Sequence, residues 1–239
     1  TDIPYSDTRF AAVTLGEANG KEIVWAPLNV GATELTTGLV EVPQPTDPGF
    51  TSAIQANELQ CGSYFQWGRK TPFSYSASQT AKTTSTQFNS VEEAESSTLR
   101  YYNSVEDSWL SGGLPPNLWN AKGTVVGESE SVTDIEKTAY DPCPTGWRIP
   151  TKTELEALKA TGMTHENNSS KNYTSIKKAN AELRLPKGGG ITSIASFMCI
   201  ESLCWSSTLS ATRGYMWVTN NWGICPFTGF CVPIRCVQE

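Results

Sequence analysis

The apolar residues of this chain occur in short runs that end at glycine, proline or asparagine. Runs at 10–15 and 23–30 flank Gly16-Glu-Ala-Asn-Gly20, and this arrangement predicts a β-hairpin. Similar short runs predict further strands at Tyr64–Trp67, Ala181–Leu185, Tyr215–Val218 and Cys231–Val237. Pro233 lies inside the last run, which predicts an edge position or a bulge there.

One helix has a clear start signal. Thr151-Lys-Thr-Glu154 is a capping box, in which the Thr151 hydroxyl accepts the Glu154 N–H and the Glu154 carboxylate accepts the Thr151 N–H. Leu155 and Leu158 then share a face, and Gly162 supplies a stop.

Polar stretches separate these elements. Ser74–Asn89 is rich in Ser, Thr and Gln, and predicts a long surface excursion. His165–Ser170 predicts a polar loop. The whole pattern predicts an α+β fold with mainly antiparallel short strands, one or two helices and long loops. We expect a single domain over 1–239 with a short N-terminal extension at about 1–9.

Composition excludes several classes of partner. The 239 residues carry 18 Lys and Arg against 24 Asp and Glu, which gives a net charge of −6. Nucleic-acid binding draws on a basic excess that this chain lacks, so no nucleic-acid partner is expected. No apolar stretch approaches the roughly 20 residues of a membrane-spanning helix.

The seven cysteines are unevenly distributed. Five of them lie between Cys199 and Cys236, and the other two are Cys61 and Cys143. Oxidised export is the favoured explanation, with a metal site as the alternative, although the spacing and the single histidine fit zinc poorly. An odd number leaves at least one thiol unpaired or bound to another chain. The chain starts at Thr1 without a signal-like segment, so we expect a processed product.

The chain also lacks recognisable catalytic motifs. His165, the single histidine, lies in the polar stretch described above, and no G-x-S-x-G elbow is present. No catalytic residue and no metal ligand is therefore predicted.

Several blocks, in order, resemble one protein family. They are Val24–Gly31, Gly62–Gly68, Asp141-Pro-Cys-Pro-Thr-Gly-Trp-Arg-Ile-Pro-Thr151, Cys204-Trp-Ser-Ser-Thr208 and Ile234–Val237. Together they resemble the Fibrobacter succinogenes major paralogous (FISUMP) domain of fimbrillin-like proteins and surface lipoproteins in gut Bacteroidetes. The resemblance spans about residues 13–237, and it implies a C-type-lectin-like fold.

The resemblance also implies a structural disulfide between Cys143 and Cys236. The chain departs from the family pattern at Cys204, where the family usually has Tyr, and at Pro233, which the family lacks in its last strand. The cysteines additional to the pattern are candidates for a second disulfide, whose pairing stays open: Cys199, Cys204, Cys225 and Cys231.

The function that the resemblance implies is adhesion or binding at the cell surface, without enzymatic activity. The ligand is expected to be a glycan or a protein, and C-type-lectin-like folds present ligand loops in their C-terminal part. Aromatic and charged residues there are candidate ligand contacts: Trp217, Trp222, Phe227 and Arg213. Asn220-Asn221-Trp222 has the wrong order for a calcium-dependent sugar site, so no cofactor is expected and Ca²⁺ lacks support.

Two alternatives stay open. The chain could be a structural subunit of a surface filament, or a cysteine-dependent oxidase of the formylglycine-generating type, for which Cys225 and Cys231 would be the cysteines. In each case we expect localisation at the cell surface or outer membrane after removal of a lipoprotein signal.

Overall fold

A computed structural model describes residues 10–41, 46–74, 83–103, 108–160, 164–168, 171–191, 201–210, 213–218, 221–224 and 230–239. This part of the chain contains three helices and fourteen strands. The helices are α1 (Phe50–Cys61), α2 (Val91–Ser96) and α3 (Lys152–Ala157). The strands are β1 (Val13–Ala18), β2 (Lys21–Asn29), β3 (Tyr64–Gln66), β4 (Thr83–Thr84), β5 (Arg100–Tyr101), β6 (Trp147–Arg148), β7 (Thr164–Asn168), β8 (Tyr173–Lys178), β9 (Ala181–Pro186), β10 (Leu203–Ser210), β11 (Arg213–Val218), β12 (Asn221–Ile224), β13 (Cys231–Pro233) and β14 (Arg235–Gln238).

The largest sheet joins the two ends of the described chain. Its strand order is β1-β2-β14-β6, with antiparallel pairing throughout. The predicted hairpin is confirmed, but its turn is at Asn19 and Gly20, which both have positive φ. Gly16 instead lies inside β1, where the register shifts between Thr14 and Glu17. A glycine at such a bulge adopts its positive φ without steric cost.

Four smaller sheets complete the described part of the chain. Two are three-stranded, β7-β8-β9 and β10-β11-β12, and two are pairs, β3 with β13 and β4 with β5. Only β4 and β5 pair in parallel among the described strands. The α+β prediction, with mainly antiparallel short strands, is therefore confirmed. The predicted excursion at Ser74–Asn89 contains β4, and its residues 75–82 lie outside the described ranges.

The last predicted strand is divided at Pro233. Strand β13 pairs with β3, and Pro233 lies opposite Tyr64 at the end of that pairing. Strand β14 then begins at Arg235 in the large sheet. Proline has no N–H to donate, so it is tolerated in an edge strand, and both strands of a two-stranded sheet are edge strands. The chain passes to the large sheet after Pro233.

Helix α3 has the predicted capping box. The Thr151 hydroxyl accepts from the Glu154 N–H at 3.2 Å, and the Glu154 carboxylate accepts from the Thr151 N–H at 2.9 Å. Its predicted stop, Gly162, lies outside the described residues, and the helix ends earlier, at Ala157.

Helix α1 was not predicted from the sequence. Its start, Gly49, is in the left-handed region and makes no side-chain cap hydrogen bond, so the usual start signal is missing. Its buried face includes the polar side chain of Asn57, and this weakens the apolar pattern by which a helix is recognised.

The segment predicted as a polar loop at His165–Ser170 is a strand over its described part. Strand β7 pairs with β8 along its full length, with His165 opposite Ile176. This corrects the prediction. Strand β7 is an edge strand, and its backbone bonds to β8 alone. Such backbone pairing does not require apolar side chains, so a polar segment can form this strand.

The core consists of three clusters of buried side chains. The first surrounds the Trp67, Trp109, Trp119 and Trp205 side chains, all fully buried. The indole N–H of Trp67 donates to the Ser206 carbonyl at 2.9 Å, and that of Trp205 donates to the Phe65 carbonyl at 2.7 Å. The Trp67 and Trp205 side chains therefore bury large apolar areas while their indole N–H groups stay hydrogen-bonded.

A disulfide joins Cys143 to Cys236 on β14, which is the pairing that the resemblance implied. Next to it, the Asp141 carboxylate accepts from the backbone N–H groups of Cys143 at 2.7 Å and Ile149 at 2.9 Å. Burial raises the pKa of Asp141 to about 6, although these two bonds and the charge of Lys137 act in the opposite direction. The folded protein therefore binds a proton at Asp141 more readily than the unfolded chain.

This difference predicts a pH dependence of stability. Between pH 3.8 and about 6, the folded state holds a proton that the unfolded state has released. The contribution of Asp141 to stability is therefore fully present below pH 3.8 and is lost as the pH rises through about 6. We expect the free energy of unfolding, relative to an Asp141→Asn variant, to decrease by roughly 2–3 kcal/mol from pH 4 to pH 7. Urea titrations of the wild type and of Asp141→Asn at several pH values measure this difference in the free energy of unfolding. A constant difference between the two proteins would contradict the assignment.

Candidate functional site

Of the four predicted ligand contacts, Trp217 is the one whose side chain the structure describes. Trp217 is fully buried in a second core cluster, together with Trp25, Leu155 and Leu183, so it offers no surface to a ligand. Trp222 lies opposite Trp217 in the β11–β12 pairing, and Arg213 begins β11. Phe227 lies outside the described residues.

The predicted second disulfide is also corrected for two of its four cysteines. Cys204 and Cys231 are thiols, buried in different core clusters. Burial raises the pKa of Cys204 to about 11 and that of Cys231 to about 12, so both thiols stay protonated at neutral pH. Cys199 and Cys225 lie outside the described residues.

A partly open cavity of about 260 Å³ lies beside the large sheet. It is between the segment that enters β1, the loop before α1 and strand β9. Both β1 and β9 are the outer strands of their sheets, and the two strands contact each other. The cavity is lined by apolar residues together with two threonines and three charged residues: Phe10, Ala11, Val13, Pro27, Leu35, Thr36, Thr37, Glu182, Leu183, Arg184 and Arg235.

The polar side of the cavity is an ion pair on β9. Glu182 and Arg184 are two residues apart, so both side chains lie on the same face of the strand. Arg184 Nη2 donates to Glu182 Oε2 at 2.9 Å, and the Ser175 hydroxyl donates to Glu182 Oε1 at 2.6 Å. The Arg184 guanidinium also stacks over Tyr173 at 5.2 Å from the ring centroid. The pair thus presents a donor and an acceptor in a fixed arrangement.

Helix α1 holds the loop that forms the opposite side. The Gln60 side chain accepts from the N–H groups of Thr37 and Gly38, and it donates to the Gly38 carbonyl. The Asn57 side chain donates to and accepts from the backbone of Val40. These bonds explain why polar residues lie on the inner face of α1: they position the loop.

Arg235 lines the cavity and connects the strands around it. Its guanidinium donates to Asn29 Oδ1 at 2.8 Å, to the Pro27 carbonyl at 2.9 Å and to the Arg184 carbonyl at 3.1 Å. These acceptors belong to β2 and β9, and Arg235 itself belongs to β14. One buried side chain therefore fixes the position of β9, and with it that of Arg184, relative to the large sheet.

Sequence reasoning did not single out this site, although one signal pointed to it. The alternation in Ala181–Leu185 predicts that Leu183 and Leu185 face inward, and both are buried. The same alternation places Glu182 and Arg184 together on the opposite face. No pattern in the sequence indicated that the loop before α1 packs near these two side chains and completes the cavity.

Among the described residues, no three His, Cys, Asp or Glu side chains converge as metal ligands would. None of the described helices is long and apolar enough to span a membrane. In comparisons with known proteins, no family model, no curated protein and no solved structure matches the chain.

Proposed function

We propose that this protein is a non-enzymatic binding domain of the cell surface that recognises a glycan, and that the cavity beside β9 is its site. The observation that carries the proposal is the Glu182–Arg184 pair in the lining of a cavity that is otherwise mainly apolar. Binding sites typically combine an apolar lining with a few placed polar groups.

The chemistry of the cavity suits a sugar ring. Neighbouring hydroxyl groups of a sugar donate and accept hydrogen bonds side by side, and Glu182 and Arg184 offer an acceptor next to a donor. Phe10, Pro27 and Leu35 line the same cavity, and aromatic and aliphatic side chains contact the C–H faces of sugar rings.

The resemblance to the FISUMP domain family supports the same proposal, and with it an exported protein of C-type-lectin-like fold. The bridge between Cys143 and Cys236 is the pairing that this resemblance implies. The oxidase alternative has less support, because a thiol such as Cys231, with a pKa of about 12, is a poor nucleophile at neutral pH. The filament alternative remains testable by polymerisation assays.

A glycan array tests the proposal. The oxidised wild type is compared, with and without Ca²⁺, with Arg184→Ala and with Lys122→Ala, which removes only an exposed ion pair with Asp134. We expect Arg184→Ala to weaken binding by about tenfold or more, because hydrogen bonds to charged groups contribute about 1.5–3 kcal/mol. Lys122→Ala should bind as the wild type does.

A Trp222→Ala variant, in the same array, tests the site that the sequence suggested. Loss of binding in Trp222→Ala, with retention in Arg184→Ala, would move the site to the C-terminal segment. A blank array for the wild type in both conditions would contradict the glycan proposal and favour a protein partner or a structural subunit.

A further inference from the structure

We propose that the cavity takes an acidic sugar, that is, a sugar ring bearing a carboxylate, and that Arg184 binds this carboxylate. The inference rests on the proposed glycan-binding function and specifies the class of its ligand. It comes from the charges and the hydrogen-bonding groups that line the cavity.

The cavity is more positive than the rest of the protein. Two arginines and one glutamate line it, whereas the chain as a whole has a net charge of −6. The charge of Glu182 is offset by Arg184 at 2.9 Å, and the Ser175 hydroxyl donates to it. Lys177 lies 3.7 Å from Glu182, although its nearer partner is Glu166 at 2.6 Å. An anion that enters the cavity therefore meets a local positive excess.

Arg184 retains donors for such an anion. Its partners within the described residues are Glu182 and the Tyr173 ring, and its Nε and Nη1 groups donate to no protein acceptor there. The side chain is 39 % exposed, so these donors can be reached by a ligand. Stacking on Tyr173 and pairing with Glu182 hold the guanidinium plane in place, which lowers the entropy lost when a planar carboxylate binds to it.

Thr36 supplies a second polar group. The residue is only 4 % exposed and lines the cavity, yet its hydroxyl makes no hydrogen bond within the described part of the chain. The Thr36 Oγ1 atom keeps some contact with solvent, so a ligand hydroxyl can reach it and form a hydrogen bond with it. Thr36 lies in the loop before α1 and Arg184 lies on β9, so the two polar groups reach the cavity from different elements, as a ring with a carboxylate and hydroxyl groups requires.

Size and charge narrow the ligand further. A cavity of about 260 Å³ is smaller than the sites of roughly 300–1,000 Å³ that hold drug-sized ligands, so it matches a single sugar ring. The Glu182 carboxylate next to Arg184 repels a doubly charged phosphate more strongly than a singly charged carboxylate. A terminal or branching uronic acid or nonulosonic acid fits both conditions.

Matched sugar pairs test the inference. Methyl glucuronide carries a carboxylate at C6 where methyl glucoside carries a hydroxymethyl group, and the corresponding galacturonide and galactoside differ in the same way. N-Acetylneuraminic acid is included as a further acidic sugar. Dissociation constants from ligand-observed NMR titration should favour at least one acid over its neutral counterpart by about tenfold. Arg184→Ala should abolish this preference. Glu182→Gln, which removes the repelling charge, should strengthen acid binding severalfold and leave neutral sugars unimproved.

The outcomes separate the inference from the function on which it rests. Equal binding of acidic and neutral sugars, lost in Arg184→Ala, would keep the glycan site but overturn the acidic class. Binding of an acidic peptide without binding of any acidic sugar would overturn both. Circular dichroism spectra and melting temperatures of both variants, unchanged from those of the wild type, exclude a folding defect as the cause of lost binding.

Discussion

A Cys143→Ser/Cys236→Ser variant is expected to lose about 4–5 kcal/mol of its free energy of unfolding. The bridge closes a loop of 93 residues, and a loop of this length restricts the unfolded chain strongly. Both sulfur atoms lie in the first core cluster, so the serine hydroxyls would in addition be buried there. Guanidinium denaturation of the oxidised wild type and of the variant measures the difference.

The same titration under reducing conditions provides the control. Dithiothreitol should bring the wild type close to the variant, because Cys61, Cys204 and Cys231, the other described cysteines, are already thiols. If the reduced and the oxidised wild type unfold at the same denaturant concentration, the bridge does not contribute to stability as expected.

A Glu154→Ala variant is expected to lose about 3–5 kcal/mol. Glu154 forms a two-bond ion pair with Arg148, at 2.6 and 2.7 Å, and both side chains are only 4 % exposed. Removing one partner leaves the other charge buried without compensation, and this is the costly half of a buried ion pair. The variant also loses the capping bond to the Thr151 N–H.

Glu156→Ala is the matched control on the same helix. Glu156 pairs with Lys152 at the surface, where its side chain is 40 % exposed, so we expect a loss below about 1 kcal/mol. Chemical denaturation of both variants gives the comparison. Equal losses for Glu154→Ala and Glu156→Ala would show that burial does not set the cost of removing the partner of Arg148.

Local signals in the sequence were sufficient for several elements. The capping box at Thr151 and Glu154 depends on atoms three residues apart, and the hairpin of β1 and β2 depends on neighbouring segments. Such interactions form within one short stretch of chain, so their pattern can be read without the rest of the fold. The α+β class follows from the same patterns.

Elements held by distant contacts were not predicted. Helix α1 has no start signal, and its inner face includes Asn57, which bonds to the backbone of Val40. Strand β7 has a polar sequence and forms because β8 offers its backbone. The position of Trp217 in the sequence predicts a ligand contact, but packing of β10 and β11 places its side chain in the core.

The sequence by itself determined the α+β class, the short strands, the start of α3 and the alternation that places Glu182 and Arg184 on one face of β9. Only the tertiary structure decided that this face borders a cavity, because residues from both ends of the chain and from its middle line it. Arg235, on β14, bonds to Asn29 on β2, which is 206 residues away in the sequence, and to Arg184 on β9. Burial and hydrogen bonding across such distances depend on how the sheets pack, and no local pattern contains that information.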